Sequence, residues 1–274
     1  MTKSGTTNGT TTGRTMTAKS PNPDWLNTIE LCDGVKAWYT SRGDNADPDD
    51  AYSNFNICHY TGDSEAHIAS CRHALCNAMG IEPERLIVPR QTHSINCVTI
   101  DRLPVDNDML QGVDALVTSL DNTAIGISTA DCVPVLMADP VNRIIAAAHA
   151  GWRGAIGGIA NVTLSQMLAK GADISCIHVA MGPCICSRCF EVGDEVASQF
   201  PASCVTRNPV TGKPHVDLAT FLRQSLIEAG IKEENITMPP SCTRCNPSQL
   251  FSARVLGINS GRIFTFIMQH PLPA

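Results

Sequence analysis

Cys132 and His149 are the first residues whose types and spacing point to chemistry. They stand at the outer ends of two apolar runs, residues 133–138 and 144–148, separated by Asp139-Pro140-Val141-Asn142. Pro at the second position suits a type I turn, so the two runs predict a β-hairpin. With the turn centred between Pro140 and Val141, Asp139 faces Asn142 and Cys132 faces His149. Directly opposed residues point to one face of a sheet, with Cβ atoms about 4.5–5.5 Å apart. A thiolate and an imidazole then converge on one metal ion or on each other, and a register slip of one residue would separate them.

A third candidate ligand is His93, in Gln91-Thr92-His93-Ser94 between two predicted strands. Two His and one Cys suit zinc with an open fourth position, the pattern of catalytic rather than structural sites. Soft sulfur with imidazole also suits copper, the lesser alternative. Past His149, Gly151, Arg153 and Gly154 occupy a predicted strand-to-helix bend. A helix N-terminus exposes N–H groups and favours anions, and Arg153 adds a planar fork suited to phosphate or carboxylate. The competing reading of the same residues is a packed core Cys and His beside a surface Arg.

Two further spacings stand out. Cys186-x-x-Cys189 and Cys242-x-x-Cys245 are zinc-like pairs, with Cys184 close by. Such pairs often build a four-cysteine structural site, though with a gap shorter than the 52 residues found here. A second structural metal, a labile disulfide and ordinary thiols are all compatible with the spacing.

The elements that must position these groups follow from hydrophobic periodicity. Ser64 caps a predicted helix over residues 65–79 that Gly80 ends. Strands are predicted at 86–88, 95–100, 114–118, 124–128, 133–138, 144–148, 177–181 and 263–268. One helix should follow Gly154 and run to Lys170-Gly171, and Asp217 caps another carrying Leu218, Phe221, Leu222 and Leu226. Residues 41–54 read as a polar loop. Strands outnumber helices and several adjoin in sequence, which predicts an α+β fold of layered mixed sheets.

The chain has 274 residues, 43% hydrophobic and 17% charged, with 13 cysteines and a net charge of −6. That apolar content excludes a disordered chain, and the acidic balance speaks against a nucleic-acid partner. An odd cysteine count without a secretory signal argues against a disulfide scaffold, so the thiols are expected reduced in a cytoplasmic protein. No apolar run reaches the length of a membrane span, so no membrane partner is expected. Eight of the first 17 residues are Thr, and residues 1–23 are expected to form a disordered tail, with a transit peptide as the alternative. Residues 24–274 are expected to form one domain.

Several ordered motifs make the chain recognisable. These are Thr40-Ser41-Arg42-Gly43, Asn56 with Gly62-Asp63, Gln91-Thr92-His93, Asp114-Ala115-Leu116-Val117-Thr118, Thr129-Ala130-Asp131-Cys132, Ala148-His149-Ala150-Gly151-Trp152-Arg153-Gly154, Gly182-Pro183, Phe190-Glu191-Val192-Gly193 and Phe251-Ser252-Ala253-Arg254. Together, over roughly residues 35–270, they closely resemble the YfiH family, also called the laccase-domain or multicopper polyphenol oxidase family. The family pattern departs at Tyr60, where a His is usual, and at Ala253-Arg254-Val255, where only one Arg remains. The resemblance implies an α/β/β/α sandwich related to cysteine hydrolases and a metal triad at His93, Cys132 and His149. It also implies a zinc-dependent purine nucleoside phosphorylase acting on adenosine, inosine and methylthioadenosine, with adenosine deaminase activity. Its small-molecule partners would be purine nucleosides and phosphate, in a monomer or homodimer. On that reading Asp131 is the nearest proton carrier, Arg153 holds phosphate, and Arg42, Asn56 and Arg254 contact substrate. Alternatives are a peptidoglycan editing amidase releasing L-Ser from a cell-wall precursor, a Cys132–His149 nucleophile pair, and a non-enzymatic metal-stabilised binding module.

Overall fold

The computed structural model describes residues 22–271 together with Met1, so the tail expected over 1–23 lies almost wholly outside the described residues. The strands are β1 (Leu26–Cys32), β2 (Val35–Thr40), β3 (Leu86–Ile87), β4 (Cys97–Ile100), β5 (Ala115–Thr118), β6 (Ala124–Thr129), β7 (Val133–Asp139), β8 (Ile144–Ala150), β9 (His178–Met181), β10 (Val205–Arg207), β11 (Pro214–Val216), β12 (Ile236–Thr237) and β13 (Ile263–Gln269). The helices are α1 (Glu65–Met79), α2 (Trp152–Ile156), α3 (Ile159–Ala169), α4 (Asp194–Ala197), α5 (Leu218–Glu228) and α6 (Ala253–Leu256). Two mixed sheets carry the fold, in the orders β1-β2-β13-β6-β3 and β12-β9-β7-β8-β5-β4.

Strand alternation explains how the layers form. On β7 and β8, Val133, Val135, Met137, Ile144, Ala146 and Ala148 pack against Ile159, Leu164, Leu218 and Leu222 of α3 and α5. Their sequence neighbours Leu136, Ala138, Ile145 and Ala147 pack the other way, onto Ala37, Ile125, Ile127 and Ile267 of the first sheet. The far face of that first sheet presents Trp38, Phe264, Phe266 and Met268 to Cys71, Leu75 and Cys76 of α1. Period-two side chains on doubly covered strands give near-continuous apolar runs, and the result is the expected α/β/β/α sandwich. His149 lies between Ala148 and Ala150 on β8, so it points into the layer between the sheets, at that layer's end.

Helix α1 begins and ends where the sequence predicts. The Ser64 side chain accepts from the His67 N–H, and Gly80 takes a left-handed φ of 65°. Two expectations are corrected. The β7–β8 hairpin pairs Asp139 with Ile144, so its loop holds four residues and Pro134, not Cys132, opposes His149. Asp139 folds that loop by accepting from the Val141 and Asn142 N–H groups, and Arg143 closes it at φ 56°. The helix expected to run unbroken from Gly154 to Lys170 is split into α2 and α3 at Gly157-Gly158, with Gly158 at φ 84°. Among the described residues, no helix is long and apolar enough to cross a membrane.

Candidate metal centre

His93, Cys132 and His149 each offer a ligand atom, and these atoms all lie within 4.8 Å of one another. His93 comes from the loop before β4, Cys132 from the turn entering β7, and His149 from the end of β8. The Cys132 sulfur is 3.7 Å from His93 Nε2, and the two imidazoles meet edge-on at 4.7 Å between centroids. His149 is buried, Cys132 partly covered and His93 exposed, so the cluster opens to solvent on the His93 side. The two-residue register shift leaves Cys132 on the same side of its strand as Pro134, which explains how it still meets His149.

One buried carboxylate, that of Asp114 at the entry to β5, orients the His149 ring and anchors the backbone of His93. Its Oδ1 accepts from His149 Nδ1 at 2.7 Å and from the His93 N–H at 3.0 Å. Its Oδ2 accepts from the Thr92 and Ser94 N–H groups and from the Ser94 hydroxyl. Three consecutive N–H groups thus wrap one carboxylate, and His93 at the centre of that wrap holds φ 61°, a conformation disfavoured without such support. With His149 Nδ1 tied to Asp114, its Nε2 faces the cluster, the arrangement that metal-binding histidines favour. The sequence reading missed Asp114 as a site residue. The available signal was a carboxylate opening an apolar strand, a placement that is costly unless its oxygens are fully partnered.

The electrostatics suit a cation. Burial raises the Cys132 thiol, but His149 and His93 outweigh it and bring it down to about 6. Burial disfavours charge on His149, but Cys132 and Asp114 outweigh it and hold its basicity up. Burial also raises Asp114, yet its hydrogen bond and attraction to His149 bring it to about 2. Gly151 is required by space alone: a Cβ there would lie 2.6 Å from the His93 ring and 3.1 Å from the Cys132 sulfur. Two imidazoles, one thiolate, an anchored outer carboxylate and an open side form a donor set that fits a single tetrahedral ion.

The other sequence candidates fare differently. Asp131, at φ 88°, gives one oxygen to the Thr243 hydroxyl and the other to the Arg254 N–H. Both hydrogen bonds fix the turn before Cys132, which gives Asp131 a positioning role. Asn56 is fully buried and braces Cys58, Asp63 and Arg262, which removes it from substrate contact. Arg42 is also buried, at 1% exposure. Its guanidinium donates to the carbonyls of Ser53, Pro247, Asp47 and Asp50 at 2.6–3.0 Å. It therefore ties the polar 41–54 loop to residue 247 and cannot reach phosphate. Arg42→Met should destabilise the fold by about 3–5 kcal/mol, because buried carbonyls lose charged donors. Urea unfolding checks this, and phosphate affinity of the remaining folded protein should not change.

Arg153 is exposed and lies over the Trp152 ring at 4.3 Å. The expected anion site at a helix N-terminus is corrected, because α2 is only five residues long and too short for a developed dipole. Near the metal cluster opens a cavity of about 820 Å³, lined in part by Trp152, Phe190, Lys213 and Arg254 and by the acids Glu191, Asp194 and Glu195. None of the three donors lines it. It abuts them through Trp152, next to Gly151, and through Arg254, whose N–H holds Asp131. The Arg254 guanidinium is itself placed by the Glu191 carbonyl at 2.9 Å and the Phe190 ring at 5.3 Å.

Comparison with known proteins returns consistent neighbours. Residues 36–270 match the family model described as multi-copper polyphenol oxidoreductase laccase. Adenosine deaminase RL5, from an unknown prokaryotic organism, is 44% identical over 254 residues, covering 88% of this chain and 97% of its own length. A purine nucleoside phosphorylase of Bacteroides thetaiotaomicron is 37% identical over 232 residues, covering 80% and 86%. The crystal structure of Bacillus licheniformis hypothetical protein YfiH superposes with a TM-score of 0.82 at 26% identity, covering 90% of this chain and 97% of that one.

Proposed function

The chain belongs to the multi-copper polyphenol oxidoreductase laccase family, the YfiH family, and on that footing we propose that it is a zinc-dependent purine nucleoside enzyme. It phosphorolyses adenosine, inosine and methylthioadenosine, and it deaminates adenosine. The observation that carries this reading is a His₂Cys cluster, open on one side, near a cavity roomy enough for a nucleoside, which brings the Trp152 and Phe190 rings together with Lys213 and Arg254 as well as Glu191, Asp194 and Glu195. The names of the relatives, adenosine deaminase and purine nucleoside phosphorylase, support the same chemistry. A single two-nitrogen, one-sulfur donor set holds one ion, zinc by donor number and softness, with copper the lesser alternative.

When bound to His93, Cys132 and His149, zinc supplies a Lewis acid with an open position. The chain's own residues do the rest. Asp114 fixes the ring orientation of His149 and the backbone of His93. Trp152 and Phe190, each with an Arg over its ring, bring aromatic surface for the purine, and Arg153, Arg254 and Lys213, the last paired with Glu191 at 2.7 Å, bring positive charge for phosphate. In phosphorolysis the bond from C1′ to the purine nitrogen breaks, a phosphate oxygen bonds to C1′, and the base leaves with a proton. The thiol-rich composition suits a reducing compartment, so the reading places the activity in the cytoplasm.

The test is chromatography of inosine and adenosine incubated with the protein, with and without phosphate. Hypoxanthine should form from inosine only when phosphate is present, and adenosine should yield inosine without it. Absence of nucleoside turnover together with release of serine from a cell-wall precursor would replace this reading with the amidase one.

A further inference from the structure

A second cluster of soft ligands lies apart from the His₂Cys centre. The sulfurs of Cys186, Cys189, Cys242 and Cys245 all lie within 4.8 Å of one another, and none is in a disulfide. We propose that these four cysteines form a tetrathiolate site for one structural zinc ion, which clamps two distant loops together and fixes one wall of the cavity.

The local backbone is built for this. Cys184 and Cys242 form a parallel bridge, with the Cys184 N–H donating to the Ser241 carbonyl and the Thr243 N–H to the Cys184 carbonyl. That bridge sets the two Cys-x-x-Cys turns side by side despite their separation in sequence. In the first turn the Cys189 N–H donates to the Cys186 carbonyl. The Cys186 N–H also reaches across to the Cys242 sulfur at 3.3 Å, the kind of outer hydrogen bond that steadies a metal-bound thiolate. Cys189 and Cys245 approach to 3.5 Å. Tetrahedral zinc at about 2.3 Å from each sulfur needs sulfurs roughly 3.8 Å apart, so closure asks for shifts of an ångström or less.

Charge points the same way. The turns read Cys-Ser-Arg-Cys and Cys-Thr-Arg-Cys. Four thiolates around a doubly charged ion leave two negative charges, and each turn carries one Arg. Arg244 already sits 3.6 Å from the Cys189 sulfur.

The clamp connects to the site in two ways. Phe190 and Glu191, which line the cavity, directly follow Cys189. Thr243, inside the second turn, donates to Asp131 at 2.6 Å, and the Ile185 N–H donates to the Asp131 carbonyl. Asp131 precedes Cys132, so both loops brace the turn that presents the catalytic-cluster thiol.

The experiment is zinc analysis of the full chain, purified without added chelator. Wild type should hold two equivalents, the Cys186→Ser/Cys245→Ser variant one, and Cys132→Ala one. Cys245→His, which restores a ligand, should return to two even if the double Ser variant folds poorly. Cobalt-loaded wild type should show a stronger thiolate-to-metal charge-transfer band than one cysteine ligand can give, and the double Ser variant should lose the excess. A wild type holding a single equivalent that Cys132→Ala abolishes would overturn the proposal. So would recovery of eleven rather than thirteen thiols from unreduced, unfolded protein, which would mean a disulfide in place of the metal.

Discussion

Cys132→Ala should abolish zinc binding at the His₂Cys cluster and reduce nucleoside turnover by at least about a thousandfold, or about 4 kcal/mol of transition-state stabilisation. The size of the effect follows from the donor set. With Cys132 gone, two imidazoles remain and no anionic ligand faces the ion. The fold should survive, because Cys132 is only partly covered and lies beyond the last ladder pair of β7 and β8. Circular dichroism and unfolding midpoints close to wild type, alongside lost metal and lost turnover, would separate a ligand role from a packing role. A variant that keeps both metal and activity would sink the triad.

Asp114→Asn should be nearly as damaging, and by a different route. The carboxylate accepts from three N–H groups, one hydroxyl and one imidazole. An amide of the same shape offers one acceptor oxygen and turns its NH₂ toward other donors. Loss of an outer-sphere carboxylate alone typically costs 10–100-fold in metal affinity, and each buried donor left unpaired costs about 1–3 kcal/mol of stability. Both histidines are affected together, because His93 holds its left-handed backbone only while Asp114 gathers the N–H groups on either side. Zinc titration against a competing chelator reads the first effect and urea unfolding the second. The pH dependence has a defined sign. Because Asp114 is depressed from 3.8 to about 2, its contribution is fully present above its unfolded value and is lost as pH falls from about 4 toward 2. The Asn variant should show a flatter acid limb. Unchanged metal affinity in that variant would mean that Asp114 plays no part in orienting the ligands.

What could be read from the sequence was whatever depends on local pattern. Helix α1, its Ser64 cap and its Gly80 stop are set by neighbours three or four residues away. The buried strands β5 to β9 and β13 announce themselves as apolar runs because both faces are covered. The β1–β2 hairpin was not legible. In the edge strand β1 exposed Thr28 and Glu30 alternate with half-buried residues, and in β2 the exposed Lys36 breaks the apolar run, which weakens the signal. The hairpin register was misplaced by two residues because Arg143 adopts a left-handed conformation and lengthens the loop. Side chains repeat every two residues, so the meeting of Cys132 and His149 survived that error. Long-range polar roles left no local trace. Arg42 looks like a free cation beside an acidic loop, yet that loop offers it backbone carbonyls. Asp131 looks like a free acid beside the Cys132 thiol, yet Thr243 and Arg254, more than 100 residues away in sequence, each hold one of its oxygens. Asp114 looks like the first residue of a strand, and only the fold brings His93 and His149 to it.

The most direct measurement is restoration of turnover in metal-stripped protein. Chelated wild type should not convert inosine to hypoxanthine in phosphate. Activity should return in step with the zinc equivalent that Cys132→Ala cannot hold, while Cys132→Ala stays inactive at every zinc concentration. Full turnover by the stripped protein, or equal recovery in Cys132→Ala, would contradict a metal-dependent nucleoside enzyme built on His93, Cys132 and His149.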